Sequence, residues 1–174
     1  MQFKEPVLFT VDDEAWTVGF WDQCEFDDAF GGVVFDGTDS LQRAMEYASD
    51  HISEPTVFVL DSRMYLSDDA RRQIAVSLRD RLGVDVDRFE TEGNLNGVLV
   101  AAWIRGRSDA FRVVLLTAFA REIAVAVRED TELRRVFETG VSEMFGKSVG
   151  EKPLRRKIRG LLEEVGRPAQ HRIG

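Results

Sequence analysis

The apolar positions of the chain fall into short continuous runs, separated by segments in which they recur at helical spacing. Runs of large and β-branched residues without charge are typical of strands buried on both faces of a parallel sheet. They predict five strands, at residues 7–11, 33–35, 56–60, 113–116 and 141–145. Because helical segments separate the strands, the chain is predicted to be an α/β protein with helices on both faces of a parallel sheet.

The segments of helical spacing predict six helices. They cover residues 15–26, 39–49, 68–82, 98–105, 121–137 and 152–165. Thr38 is a good N-cap for the second helix, and Ser67 and Gly83 delimit the third, whose apolar stripe is Ile74, Leu78 and Leu82. Asp130 and Thr131 indicate an interruption in the fifth helix, and the tail after Gly166 is predicted to fray.

Composition excludes several classes of protein. The 174 residues are 44% hydrophobic and 31% charged, which is ordinary for one globular domain. The net charge of −8 disfavours a direct nucleic-acid surface. The single cysteine, Cys24, rules out an internal disulfide framework, and no apolar run is long enough to span a membrane. We therefore expect a cytoplasmic protein without a signal peptide or a membrane contact.

Polar side chains follow four of the five predicted strands. Asp12 and Asp13 come after the first strand, Asp61 after the third, Thr117 after the fourth and Lys147 after the fifth. In an open parallel sheet the carboxyl ends of the strands meet at one edge, where ligands bind. These side chains are therefore expected to lie close together.

The chemistry of this set points to phosphoryl transfer. Three carboxylates that crowd together repel one another unless a cation binds, and an all-oxygen acidic cluster suits Mg²⁺. A lysine and a threonine hydroxyl are suitable donors to phosphoryl oxygens. The five residues together describe a site for transfer of a phosphoryl group onto a carboxylate.

The same residues carry a resemblance to a known family. The motifs Val11-Asp12-Asp13-Glu14, Leu60-Asp61-Ser62-Arg63-Met64, Leu116-Thr117-Ala118 and Lys147 resemble those of response-regulator receiver domains, each at the expected strand end. The resemblance covers nearly the whole chain. It implies a flavodoxin-like, doubly wound sheet of five parallel strands in the order 2-1-3-4-5.

The resemblance also implies a mechanism and partners. A histidine kinase or phosphotransfer protein would phosphorylate Asp61, and the domain would signal to a downstream effector by a conformational change. Mg²⁺ would be held by Asp12, Asp13, Asp61 and the backbone carbonyl of Arg63. Such a domain catalyses its own phosphorylation and dephosphorylation and is not otherwise an enzyme. A homodimer through the face formed by the helix after Thr117, the last strand and the terminal helix stays open.

The chain departs from the family pattern at three places. Ser148 follows Lys147 where the family has a proline, and Met144 stands where the family has a switching aromatic residue. The segment between the third and fourth strands is long, which predicts an inserted helix and loop at about residues 66–96. We expect a receiver domain over residues 1–166 with this insertion, and a tail over residues 167–174.

Two alternatives remain open at this stage, and a third is excluded. A degenerate receiver would act as a protein-interaction module that takes no phosphate. A P-loop nucleotide-binding protein is a remote reading of Gly140 to Ser148, because one residue too many separates the glycines. A phosphatase of the haloacid-dehalogenase type needs a second aspartate where Arg63 stands. Whether the chain is a stand-alone protein or a fragment of a longer one also stays open.

Overall fold

The computed structural model describes residues 5–11, 34–38, 40–89 and 93–166. The strands in this part of the chain are β1 (Val7–Val11), β2 (Val34–Thr38), β3 (Thr56–Leu60), β4 (Phe111–Thr117) and β5 (Glu143–Gly146). The α-helices are α1 (Leu41–Asp50), α2 (Asp68–Leu82), α3 (Asn96–Arg105), α4 (Ala120–Glu129), α5 (Thr131–Gly140) and α6 (Glu151–Gly166). A 3₁₀ turn (Val86–Arg88) follows α2. The helix predicted at residues 15–26 and the tail at 167–174 lie outside the described residues.

The strands form one parallel sheet in the order β2-β1-β3-β4-β5. The predicted class, an α/β protein with a parallel sheet and flanking helices, is confirmed. In the register of the central pair, Val11 lies opposite Leu60, so β1 and β3 end level with each other. Residues that follow these two strands therefore start from neighbouring positions at the carboxyl edge.

Alternate residues of the central strands pack into two separate cores. Phe58, Leu60, Val113 and Leu115 face a large core that includes residues of α1, α2, α3 and α5. Val57, Val59, Val114 and Leu116 face a smaller core with the apolar side of α6. Because every residue of β3 is buried, an uncharged run without alternation is what this strand requires.

Two helices lie between β3 and β4. The first, α2, has the local signals expected at both ends: Ser67 Oγ accepts the N–H of Ala70, and Gly83 adopts a left-handed φ of 65°. Its Ile74 and Leu78 are fully buried, so this stripe packs on the domain. Its main contacts are with α3, α5 and the 3₁₀ turn, whereas α3 packs directly on β4.

The helical segment after Thr117 divides at Asp130 into two helices, α4 and α5, as the sequence indicated. Asp130 is the N-cap of α5, and its Oδ1 accepts the N–H groups of Glu132 and Leu133 at 2.9 and 3.0 Å. Arg88 of the 3₁₀ turn pairs with Glu132 and Asp130. The hydrogen bond to Glu132, followed by the charge of Asp130, raises the pKa of Arg88 above its ordinary value.

Two of the boundaries that differ from the sequence prediction have a clear physical reason. Thr38 is not a helix cap: it pairs with Val11 at the end of β2, and α1 begins after Ser40. Pairing along five residues of β1 thus outweighs the local capping preference of a threonine. The last strand begins at Glu143, because Val141 is the C-cap of α5.

The structure also removes the P-loop reading. Gly140 is the last residue of α5, and β5 occupies most of the segment between Gly140 and Lys147. A phosphate-binding loop requires an open turn whose N–H groups surround the phosphates. Here those groups belong to a strand that pairs with β4. None of the described helices is long and apolar enough to cross a membrane.

Candidate functional site

Asp61 lies at the carboxyl end of β3, in the middle of the sheet. Its N–H donates to the carbonyl of Val11 at 2.9 Å, which continues the β1–β3 ladder by one residue. The residue is 6% exposed. A buried carboxylate is costly unless a cation or several donors surround it. The neighbours of Asp61 therefore determine how this buried group is compensated.

Lys147 provides the cation. Its Nζ lies 2.9 Å from Oδ2 of Asp61, and both side chains are largely buried. The N–H of Lys147 donates to the carbonyl of Thr117 at 3.0 Å, so the loop after β5 is tied to the end of β4. The described residues contain no cis peptide bond, and the Lys147–Ser148 bond is trans. The serine in place of proline therefore does not keep Lys147 away from Asp61.

Thr117 lies at the same edge but binds elsewhere. Its Oγ1 lies 2.6 Å from the Oγ of Ser62, and it accepts the N–H of Phe119 at 3.1 Å. Ser62 and Thr117 are both fully buried. The hydroxyl that sequence analysis placed in the site is therefore paired with the residue next to Asp61.

The start of α3 supports the loop after Asp61, and sequence analysis missed this. The N–H of Gly97 donates to the carbonyl of Ser62 at 2.9 Å, and the side-chain amide of Asn96 donates to the carbonyl of Met64 at 2.8 Å. A Cβ on Gly97 would lie 2.5 Å from the carbonyl oxygen of Asp61. An Asn-Gly pair after a long polar loop is the signal that could have indicated this close approach.

Arg63 and Phe119 link the two loops on their outer side. The N–H of Arg63 donates to Oδ1 of Asp61 at 3.3 Å, a long hydrogen bond. The guanidinium carbon of Arg63 lies 5.1 Å from the centre of the Phe119 ring, within range of a cation–π contact. Tyr65, two residues further on, is 83% exposed.

The remaining predicted residues lie outside the described part of the chain. Asp12 and Asp13 follow Val11 directly in sequence, but the structure does not describe them. Among the described residues no group of three or more acidic, histidine or cysteine side chains is arranged to hold a metal ion. Of the predicted metal ligands, Asp61 and the carbonyl of Arg63 belong to the described residues.

The sheet and this edge define a class of protein. A parallel α/β sheet carries a buried aspartate paired with a lysine, in the crevice where such sheets bind ligands. No protein-family model matches the chain, and no curated protein matches it. The class therefore rests on the structure itself and on its likeness to solved structures.

Two solved structures are similar with TM-scores of 0.53. One is a protein from Burkholderia pseudomallei described as pilus assembly-related, with 94% of each chain covered and 8% identity. The other is RcsB from Salmonella enterica serovar Typhimurium, bound to promoter rprA in the presence of the phosphomimetic BeF₃⁻. That match has 12% identity and covers 91% of this chain and 62% of RcsB. A response regulator receiver protein from Dyadobacter fermentans, at 13% identity over 90% and 97% of the chains, has a TM-score of 0.47.

These likenesses establish the fold alone, because all of the identities are low. The chain shares its fold with response-regulator receiver domains. What the site does is a separate matter, and the following proposal rests on the side chains at the carboxyl edge.

Proposed function

We propose that this chain is a phospho-accepting receiver domain and that Asp61 is the phosphoryl acceptor. The observation that carries the proposal is the buried ion pair between Asp61 and Lys147 at the carboxyl edge of the sheet. A carboxylate beside a fixed cation is a nucleophile with a partner for the charge on an incoming phosphoryl group. The shared fold supports the same reading.

The chemical step forms an acyl phosphate. An oxygen of Asp61 attacks the phosphorus of a phosphohistidine on a histidine kinase or phosphotransfer protein. The bond between phosphorus and the imidazole nitrogen breaks, and its electron pair stays with the imidazole. Lys147 keeps its positive charge beside the new phosphoryl oxygens. The signal would then pass to an effector protein through the loops that surround the site.

The donor set suits Mg²⁺. The groups we propose to hold it are Asp12, Asp13, Asp61 and the carbonyl of Arg63, all of them oxygen donors. Oδ1 of Asp61 receives a long hydrogen bond from Arg63, so this oxygen retains lone-pair capacity. Mg²⁺ would supply positive charge to the phosphoryl oxygens. Asp12 is the residue directly after Val11, whose carbonyl accepts the N–H of Asp61. This short distance along the chain favours Asp12 and Asp61 as ligands of the same ion.

We further propose that α2 and the 3₁₀ turn are an insertion relative to receiver domains. The reason is that α3 already covers the sheet between β3 and β4, and α2 packs outside it. The two helices α4 and α5 would then correspond to the single long helix expected after Thr117. This assignment leaves the site at the sheet edge complete without α2.

Labelling with acetyl phosphate tests the acceptor. The wild-type protein in Mg²⁺ should gain the mass of one phosphoryl group, and Asp61→Asn should gain none because the amide is a poor nucleophile. The matched control is Asp69→Asn, the same change at an exposed carboxylate of α2, which should label like the wild type. Intact-protein mass spectrometry measures all three.

Two results would overturn the proposal. One is labelling that survives Asp61→Asn, which would place the acceptor elsewhere. The other is a wild-type protein that takes no label and binds no beryllofluoride in Mg²⁺, which is the behaviour of an interaction module that needs no phosphate. Equal labelling in EDTA would leave the acceptor assigned and remove Mg²⁺ from the mechanism.

A further inference from the structure

The hydroxyl pair of Ser62 and Thr117 is the feature that the proposed reaction does not use as it stands. The two oxygens lie 2.6 Å apart, a short hydrogen bond between fully buried side chains. Separating a buried hydroxyl from its partner costs free energy, because no water replaces the lost hydrogen bond. The pair is therefore a contact that resists separation.

The hydrogen-bonding capacity of Thr117 is nearly used. Its Oγ1 can accept twice and donate once. One acceptor site is taken by the N–H of Phe119, and the bond with Ser62 takes another site or the proton. A phosphoryl oxygen on Asp61 accepts hydrogen bonds but donates none. In the arrangement in which Thr117 donates to Ser62, Thr117 must turn its proton away from Ser62 to bind the phosphoryl oxygen.

The strand alternation places the pair and the acceptor on different sides of the sheet. Thr117 continues the series Val113 and Leu115, which faces the large core. Asp61 continues the series Val57 and Val59, which faces α6. Lys147, two residues after Phe145 of the smaller core, reaches Asp61 directly. Thr117 therefore needs a side-chain or main-chain movement to reach a phosphoryl group on Asp61.

Ser62 is the fixed member of the pair. Its carbonyl accepts the N–H of Gly97 at 2.9 Å, and a Cβ on Gly97 would lie 2.6 Å from the Cα of Ser62. The start of helix α3 thus restrains the main chain of Ser62. Thr117, in contrast, is the last residue of β4 and is followed by a two-residue turn into α4. If the pair separates, the side chain of Thr117 and the start of α4 move.

We infer that Ser62 holds the Thr117 hydroxyl away from Asp61, and that a phosphoryl group on Asp61 competes with Ser62 for it. The inference rests on the proposed function and concerns the regulation of the same site. A phosphoryl oxygen is charged and forms a stronger hydrogen bond than the neutral Ser62 hydroxyl does, so Thr117 binds the phosphoryl group in preference to Ser62. Ser62 opposes the movement of the Thr117 hydroxyl toward the phosphoryl group, because that movement breaks the buried hydrogen bond between Ser62 and Thr117. It is a positioning residue that acts through Thr117.

The inference predicts that removing the Ser62 hydroxyl raises the affinity for a phosphoryl mimic. Ser62→Ala abolishes the competing bond, so beryllofluoride with Mg²⁺ should bind about two- to ten-fold more tightly than to the wild type, the range expected for one net hydrogen bond. Ser62→Thr retains the hydroxyl and should bind like the wild type. Titration calorimetry with beryllofluoride measures the affinity of each variant.

A double-mutant cycle separates this effect from a general structural change. In a Thr117→Ala background the competition no longer exists, so Ser62→Ala should then leave the affinity unchanged. The amide resonance of Phe119 gives a direct readout, because that N–H donates to Thr117 Oγ1. It should shift on binding in the wild type and should already be displaced in unliganded Ser62→Ala.

The outcomes distinguish this inference from the proposed function. If the wild type binds beryllofluoride but Ser62→Ala binds equally or more weakly, the competition is refuted and the acceptor assignment stands. A gain of the same size in the Thr117→Ala background refutes it as well, since the effect then bypasses Thr117. If the wild type and every variant fail to bind, both the proposed function and this inference fall.

Discussion

The two helices between β3 and β4 are built in opposite ways. Helix α2 carries its own signals: the Ser67 cap, acidic residues in its first turn, basic residues in its last turn and Gly83 after it. Helix α3 has no side-chain cap, and nearly all of its residues are buried. A helix that is apolar all round is stable only inside a protein. The comparison teaches that α2 is specified locally and α3 by what surrounds it.

The two helices also differ in what they touch. The first residues of α3, Asn96 and Gly97, bind the carbonyls of Met64 and Ser62 in the loop after Asp61. Its middle lies against α5, where a Cβ on Gly140 would come within 2.3 Å of the Ala102 nitrogen. Helix α2 contacts the site indirectly: Arg71 lies 3.4 Å from the side chain of Asn96, which in turn contacts the loop after Asp61. Changes in α2 should therefore affect stability and spare the chemistry.

The largest expected effect breaks the packing of α2. Leu78 is fully buried, so Leu78→Ala should lower the free energy of unfolding by about 2–5 kcal/mol. On the same helix Val76 is 58% exposed, and Val76→Ala should stay within about 0.5 kcal/mol of the wild type. Urea denaturation measures both. The fraction of Leu78→Ala that remains folded should still accept label from acetyl phosphate at the wild-type rate.

Equal losses for the two variants would show that α2 is not packed on the domain as described. A folded Leu78→Ala protein that fails to label would show that α2 takes part in the site. Either result would remove the contrast between a structural α2 and a site-bearing α3.

The next effect is at the contact between α3 and the site. Gly97→Ala forces a Cβ against the Asp61 carbonyl and should lower the free energy of unfolding by about 1–3 kcal/mol. Since the Asp61 loop must shift to admit the methyl group, labelling by acetyl phosphate should slow as well. Gly160→Ala is the matched control: no atom lies within 4 Å of the added Cβ, and the helix α6 should gain about 0.5–1 kcal/mol.

This pair of glycines sharpens the comparison because the substitution is identical and the expected signs are opposite. Thermal unfolding of both variants, followed by labelling kinetics, is sufficient. A Gly97→Ala protein as stable and as reactive as the wild type would mean that α3 does not press on the Asp61 loop.

The smallest effect concerns the local signal at the start of α2. Ser67→Ala removes the acceptor of the Ala70 N–H and should cost about 1 kcal/mol. The same change at Ser77, inside the helix, should be neutral or stabilising by up to about 0.5 kcal/mol, since alanine is the better helix former. Circular dichroism during urea denaturation distinguishes them. Identical behaviour of the two variants would argue against local specification of α2.

The sequence predicted the α/β class, the strands and the candidate site residues because each depends on residues that are adjacent in the chain. Uncharged runs such as residues 56–60 identify a doubly buried strand, and Ser67 and Gly83 delimit α2 without help from the rest of the chain. The interruption at Asp130 and Thr131 was visible for the same reason. Signals of this kind depend on a few neighbouring residues, so they survive without knowledge of the fold.

The tertiary structure decided the contacts that join distant segments. It placed Thr38 in a strand through pairing with β1, set Asn96 and Gly97 beneath the Asp61 loop, and paired Thr117 with Ser62. A local pattern such as the Asn96-Gly97 pair can indicate a close approach, but it does not identify the partner, because that depends on where a second segment lies in space. Sequence analysis placed the Thr117 hydroxyl among the groups of the site; only the packing of β3, β4 and α3 shows that a buried serine holds it first.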